Sequence, residues 1–517
     1  MVNPASVDPG PQRGRRWLLG LAAAAGLLYF LCFHHLGQRD LWSSHEGRAA
    51  QHGQRILETG EWIRLRLLDG RDELQKPPLY YWLVAGAGWL RGAIDPWAVR
   101  LPAAASALLA IAAVGVWLRQ QARPRAALLA MLILATCVRF TWLARVGRID
   151  MPLSAACAWA VVGFLLAVPA TGWRRGGWLA VGWFALAAGV LLKGPIGLVL
   201  PALVLLVLAA ADWLTRDQQR LRVWLRSCLW GLPLALILTL PWFVAMDRAT
   251  EGRFFHEFFV RHNLQRGLGG DEQLDGHDHP VWFYLLHLAV DALPWSWLLP
   301  LLGVALWRRP ELRSSETILG LIWFAVVFLF LSLMRYKRPD YLLPAYPGLA
   351  LALGSFLDSW LTIQPPARVC RVRRGLVGLA AGMGLGWWAY VDLWLPRWEP
   401  TRELRSFAQA VREHSPRPTQ IILFRVDSHP LVFHLGPSTE RLWEWENLDW
   451  WACRPAPVYF IMPQSWADQC ADHLVQGRLF PVLTMQQVVG GAHELPLVLM
   501  TNQPRNSVPQ PGSALLP

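Results

Sequence analysis

The sequence predicts a polytopic α-helical membrane protein with about eleven spans and a small α/β domain at its C-terminus. Three observations carry this. The 517 residues are 54% hydrophobic and only 16% charged, where a soluble protein of this size carries about 25% charged residues. Apolar stretches long enough to cross a bilayer as helices, roughly 20 residues each, recur between residues 17 and 395. Basic residues fall in every second loop between them, the pattern that sets orientation in a membrane. Together these exclude a soluble cytosolic or nucleic-acid-binding protein.

The spans are expected at 17–36, 97–118, 126–143, 152–171, 177–192, 195–211, 228–246, 281–303, 316–334, 341–360 and 375–395. Residues 79–90 are also apolar but short. The first span is too long for a cleavable signal peptide, and no small-residue cleavage site follows it. Placing Arg13, Arg15 and Arg16 in the cytoplasm puts five further loops on the same side. They carry Arg119, Arg123 and Arg125; Arg174 and Arg175; Arg216, Arg220, Arg222 and Arg226; Arg308, Arg309 and Arg313; and Arg368, Arg371, Arg373 and Arg374. The net charge of +13 is therefore largely a topology signal, and no nucleic acid is needed to explain it. The expected localisation is the inner (plasma) membrane, with loops 37–96, 144–151, 193–194, 247–280 and 335–340 and everything after 395 facing outward.

Of the 49 basic residues 46 are Arg, and the lysines are Lys76, Lys193 and Lys337. Codon bias in a GC-rich genome accounts for the Arg excess. The three lysines stand at helix ends on the outer side. In the first outer loop, Ser43 and Ser44 can cap a helix from about His45 to Leu57, lying along the membrane surface. Glu46 is in its first turn, where the helix dipole favours a carboxylate, and Arg48 faces away from it. As pattern alone, Glu46 and Asp40 read equally well as ordinary charges at a helix start. Lys76 precedes Pro77-Pro78, which start an apolar helix near residue 77. A point cation at headgroup height suits a phosphate; snorkelling is the plainer alternative.

Arg145, Arg148 and Asp150 stand at the junction of two spans, where each charge costs about 2.5–3.5 kcal/mol on insertion scales. They can neutralise one another or form a carboxylate beside an anion clamp. Lys193-Gly194-Pro195 turns between two spans with almost no loop. Phe254, Phe255, Phe258 and Phe259, with Arg261 and Arg266, suit a membrane interface, and Arg335, Lys337, Arg338, Asp340 and Tyr341 open a late span. His256, His262, His277 and His279 match no strong zinc spacing such as HExxH.

In the tail, residues 401–413 have helical spacing, and Ile421–Val426, Leu431–Leu435 and Val458–Met462 read as short strands. The expected division is a membrane domain 1–395 that includes the first outer loop 37–96, an extracytoplasmic α/β domain 396–505, and a disordered tail 506–517. The seven cysteines make no disulfide framework; Cys453 and Cys470 alone could pair in an oxidising compartment.

Cations at headgroup depth, carboxylates on one outer face and an aromatic interface suit an enzyme acting on a phosphorylated lipid. In these residues the chain resembles the lipid-carrier-dependent glycosyltransferases of GT-C type, the group of the lipid A aminoarabinose transferases and protein O-mannosyltransferases. The resemblance covers about residues 17–360. It rests on HEGRAAQ, ILETGEW, LLDG, QKPPLYYW, WAVRLPAAASALLA, LARVGRIDMPL, LLKGPIGLVLP, FFVRHNLQRGL, LPWS and YKRPDYLLPAYP in this order. It implies a GT-C membrane domain and inverting transfer of a sugar from a polyprenyl phosphate to an envelope lipid, glycan or protein acceptor, with no nucleotide.

The resemblance also implies roles by position. Glu46 lies in the family's first-loop acidic motif, Arg48 matches its basic residue, and Asp150 matches the second-loop aspartate. Lys76 and Arg266 match contacts to the carrier phosphate, and Tyr341 matches the tyrosine that opens the late span. Asp150 or Glu46 would orient the acceptor, as general base if it is a hydroxyl. Arg145, Arg148, Lys193 and Lys337 are further candidates for holding phosphate or substrate.

Three positions depart from the pattern. His45-Glu46 replaces the usual Asp-Glu, Gln75 stands where aminoarabinose transferases often have Glu, and Arg261 where they have His. That Glu and His are metal ligands in such enzymes, and neither Gln nor Arg readily binds zinc. No metal is expected there and no cofactor is required, a divalent metal being the one left open. A rival reading is a transporter or flippase of lipid-linked sugars, which predicts charges deep within helices and two related halves. The sequence has no repeat, and its charges cluster at one rim. A binding tail on a mere anchor would not need eleven spans.

Overall fold

The computed structural model describes residues 11–215, 217–265, 278–415, 420–437, 439–485 and 496–504. With no water in a bilayer core, backbone polar groups must pair within the chain, so apolar runs become helices. In chain order they are α1 (Pro11–Phe33), α2 (Ser44–Thr59), α3 (Leu79–Arg91), α4 (Pro96–Gln120), α5 (Pro124–Thr136) and α6 (Val138–Ala144). Next come α7 (Asp150–Ala167), α8 (Gly172–Lys193), α9 (Pro195–Leu214) and α10 (Gln218–Ala249). Among the described residues, seven helices are long and apolar enough to cross a membrane: α4, α7, α8, α9, most of α10, Ser315–Leu333 and Pro366–Trp398. The chain is an integral membrane protein of many helices.

Three expected spans are broken. The run 126–143 divides at Cys137 into α5 and α6, bent by 69°. The run 281–303 divides into Phe283–Asp291 and Leu298–Arg308, with Pro294 between them, where a missing N–H and a crowded ring oppose helix. The run 341–360 opens as 3₁₀ turns over Pro339–Ala345 before the helix Tyr346–Thr362. The interior of the bundle is rich in alanine, with Ala103, Ala104, Ala107, Ala110 and Ala113 of α4 fully buried. Small side chains let membrane helices approach closely. A Cβ on Gly163 would lie 2.7 Å from the Gly182 nitrogen, so α7 and α8 meet backbone to backbone.

The first outer loop folds as expected at α2: the Ser43 hydroxyl accepts the Glu46 N–H at 3.2 Å, and Gly60 ends the helix at φ 70°. After the last apolar helix the chain forms five strands, β1 (Ile421–Phe424), β2 (Thr439–Leu442), β3 (Tyr459–Pro463), β4 (Phe480–Thr484) and β5 (Leu497–Thr501). Their order is β2-β1-β3-β5-β4. β1 runs parallel to β2 and β3, and β5 runs antiparallel to β3 and β4. Leu431–Leu435 is not a strand. It belongs to a helix, His429–Leu435, capped by the Ser428 hydroxyl on the Leu431 N–H, with Pro430 in its first turn. Cys453 and Cys470 are both free, the first exposed and the second buried.

The sheet unit sits on the first outer loop. Leu68 joins the apolar core of β1 and β3. Asp40 accepts from the Leu404 N–H at 3.1 Å and pairs with His434 Nε2 at 2.9 Å.

Candidate functional site

Charged side chains that lie far apart in sequence meet in one cleft. The start of α2 brings His45 and Arg48, the turn before α3 brings Lys76, and the turn into α7 brings Arg148 and Asp150. The end of α8 adds Lys193, and the 3₁₀ segment adds Arg338, Asp340 and Tyr341. Five basic side chains (Arg48, Lys76, Arg148, Lys193, Arg338) face two carboxylates (Asp150, Asp340), an excess of three positive charges when Lys76 is protonated. His45 adds none at neutral pH: burial, and then Arg148 and Arg338, push its pKa well below the usual imidazole value.

Asp150 opens α7, with Lys193 Nζ 2.6 Å from its Oδ1. The same ammonium lies 3.8 Å above the Tyr341 ring, a cation–π contact. Lys76 Nζ lies 2.9 Å from His262 Nε2. Arg148 pairs with Asp340, whose carboxylate also receives Arg139 Nη1 at 3.3 Å. Arg48 reaches back from the cleft to Glu73 at 3.4 Å and to His429 Nε2 at 3.5 Å.

The cleft is continuous with an apolar groove. Lys76, Lys193 and Tyr341 line both. The groove adds Leu153, Ile196, Leu200, Leu331 and Met334. One end offers cations to an anion and the other offers hydrocarbon to a chain, which is the outline of a lipid phosphate.

Burial, then repulsion by Lys193, lowers the Lys76 pKa to about 7, against the attraction of Glu73. Below that pH the free protein presents a charged ammonium, and above it a neutral amine. Capture of an anion through Lys76 is therefore expected to weaken as pH rises through about 7. Measuring KM for a lipid-phosphate donor from pH 6 to 8.5 checks this. Lys76→Arg, which stays charged, should flatten the rise; an unchanged profile would count against Lys76.

Among the described residues, three that the sequence singled out do not line the cleft. Glu46 is fully buried. Its carboxylate receives Arg100 Nε at 2.6 Å, Arg39 Nη2 at 3.2 Å and the Gly147 N–H at 3.1 Å. Arg145 donates to the carbonyls of Leu31, at 3.2 Å, and His34, closing the end of α1. Lys337 is 2% exposed and donates to the carbonyls of His279, at 2.7 Å, and Met334. Arg266 lies outside the described residues. Sequence reasoning assigned no role to Arg100, Tyr80 or Tyr81. Arg100 carried a signal: a charge inside an apolar span is kept for a reason.

The place of the family's metal ligands does not suit a divalent ion. Gln75 lines the apolar groove, Arg261 pairs with Glu257 at 3.4 Å, and the neighbouring imidazole of His262 has the Lys76 ammonium against it.

Comparison with known proteins agrees with this geometry. Residues 75–244 match the family described as dolichyl-phosphate-mannose-protein mannosyltransferase. An undecaprenyl phosphate-alpha-4-amino-4-deoxy-L-arabinose arabinosyl transferase of Sodalis glossinidius is 31% identical over 399 residues, 74% of this chain and 67% of that protein. A protein of the same name from Pseudomonas fluorescens is 30% identical over 360 residues, 68% of this chain and 61% of its own. The alignments span 57–64% of the length of the first three such relatives. Among solved structures, ArnT from Cupriavidus metallidurans bound to undecaprenyl phosphate superposes with a TM-score of 0.77 at 22% identity, covering 96% of this chain and 99% of that one. The Archaeoglobus fulgidus oligosaccharyltransferase in the apo form superposes at 0.55 with 14% identity, covering 90% and 69%. The fold is that of these membrane glycosyltransferases.

Proposed function

Because the chain belongs to the family of the undecaprenyl-phosphate aminoarabinose arabinosyl transferases, we propose that it transfers a sugar, with inversion, from a polyprenyl-phosphate carrier to an envelope lipid, glycan or protein acceptor. The observation that carries this is the cationic cleft opening into an apolar groove through Lys76, Lys193 and Tyr341. A flippase would need a polar path through the bundle; here the cleft charges come from the outer loops and the helix ends beside them.

In the proposed reaction the carrier tail lies along Leu153, Ile196 and Leu200, and its phosphate meets Lys76 and Lys193. The arriving phosphate competes with Asp150 for Lys193, freeing the carboxylate to face the acceptor. An acceptor oxygen attacks the anomeric carbon from the face opposite the phosphate. The carbon–oxygen bond to phosphate breaks, and the electron pair leaves with the phosphate, stabilised by both ammonium groups. Asp150 takes the proton of a hydroxyl acceptor; a phosphate acceptor needs no base. Glu46 acts as a positioning residue. The proposed step requires no cofactor and no nucleic-acid partner.

We place the N-terminus in the cytoplasm and the sheet outside the cell's inner membrane. Counting each broken pair as one crossing gives about eleven spans: α1, α4, α5 with α6, α7 to α10, 283–308, 315–333, 339–362 and 366–398. The membrane domain is then 1–395 and the outer domain 396–505; the segment 506–517 lies outside the described residues. Mass spectrometry of envelope lipids and glycans, with and without the protein, tests the activity. The expected result is one sugar-bearing product lost with the gene and restored by wild type but not by Lys76→Ala/Lys193→Ala. An unchanged inventory would overturn the proposal.

A further inference from the structure

We propose that His34, His35 and Asp392 form a zinc site that ties the end of α1 to the last apolar helix. Among the described residues they are one group of three whose ligand atoms all lie within 4.8 Å of one another. His34 Nε2 is 3.0 Å from Asp392 Oδ2, and His35 Nε2 is 3.2 Å from Oδ1. In a tetrahedral zinc site, bonds of about 2.0–2.2 Å place neighbouring ligand atoms about 3.3–3.5 Å apart. The two edges to the carboxylate therefore differ from a zinc geometry by a few tenths of an ångström. Three protein ligands leave the fourth position to water.

The backbone is shaped for this meeting. Consecutive residues of a regular helix project about 100° apart, so neighbouring imidazoles do not share a carboxylate. His35 leaves the helix with φ 52°, a left-handed conformation that costs a side-chain-bearing residue roughly 1–2 kcal/mol. That turn sets the two rings 3.9 Å apart, with both Nε2 atoms on Asp392. Strain kept where chemistry-bearing groups converge points to a role for the convergence. The surroundings hold the ligands in place: Arg145 grips the His34 carbonyl, and the Phe30 ring lies 4.7 Å from the His34 ring. The three side chains are 27%, 34% and 22% exposed, so an ion can reach them. Two imidazoles and one carboxylate favour zinc over magnesium or calcium. None of the three lines the cleft, so the site is separate from the proposed transfer chemistry.

Full-length protein with a non-histidine tag, stripped with chelator and equilibrated with zinc, should hold one zinc per chain and unfold at a higher temperature than the stripped form. His34→Ala/His35→Ala and Asp392→Asn should each lose that zinc and the gain in unfolding temperature. Failure of wild type to take up zinc, or retention of full stoichiometry by both variants, would overturn the site and leave two imidazole N–H groups sharing a carboxylate. Cobalt substitution of wild type keeps the test open if a variant does not fold: a tetrahedral d–d absorption is expected, and an octahedral spectrum would refute it.

Discussion

Asp150→Asn is expected to lower turnover by roughly 10²–10⁴-fold with a hydroxyl acceptor, the range of a positioned general base. The substitution keeps the shape of the side chain and removes its charge. Two consequences follow from the 2.6 Å contact between Lys193 Nζ and Asp150 Oδ1. Asn cannot take a proton from the acceptor. It also holds Lys193 less firmly, so the ammonium is free to drift toward the Tyr341 ring 3.8 Å away. Comparing turnover with KM for the donor separates them: base loss lowers kcat alone, and a misplaced Lys193 raises KM. Lys193→Met in the same assay should raise KM and lower kcat together. Wild-type turnover in Asp150→Asn, at unchanged expression, would remove Asp150 from the reaction.

The bundle was readable because hydropathy is summed over about 20 residues, and a local irregularity leaves the sum intact. For the same reason the breaks were hidden. Nothing in the composition of 126–143 announces the 69° bend at Cys137. Strands β1 and β3 were readable because both are buried along their whole length and so appear as unbroken apolar runs. The same signal misled at Leu431–Leu435, where a buried helix also presents an apolar run and only Ser428 and Pro430 reveal its start.

The cleft was half legible. Outer-rim charges could be collected by topology, but which way each points is decided by packing. Lys76 and Lys193 line the cleft, while Lys337, at an equally suggestive helix end, spends its donors on two carbonyls. His45 and Arg338 could not be paired from sequence, since their 3.3 Å contact joins residues 293 apart.

Glu46→Gln is expected to destabilise the protein by about 3–5 kcal/mol, the cost of breaking a buried ion pair from one side. Arg100, 1% exposed, would keep its charge and lose its counter-ion. Burial alone would raise the Glu46 pKa, but Arg100 and Arg39 overcome it and hold the group at about 2, against an ordinary value of 4.5. Because the folded pKa is depressed, the stabilisation is present in full above pH 4.5 and lost as pH falls through about 2. At 1.36 kcal/mol per unit, that shift is on the order of 3 kcal/mol, consistent with the loss expected from the substitution. The difference in unfolding midpoint between wild type and Glu46→Gln should therefore shrink as pH is lowered from 5 toward 3. Adding Arg100→Met should recover only part of the loss, because Arg100 also donates to the carbonyls of Leu36, Arg39 and Asp40 at 2.7–2.9 Å. A Glu46→Gln protein that unfolds at the wild-type midpoint yet transfers no sugar would instead make Glu46 a direct participant and require the cleft to extend to it.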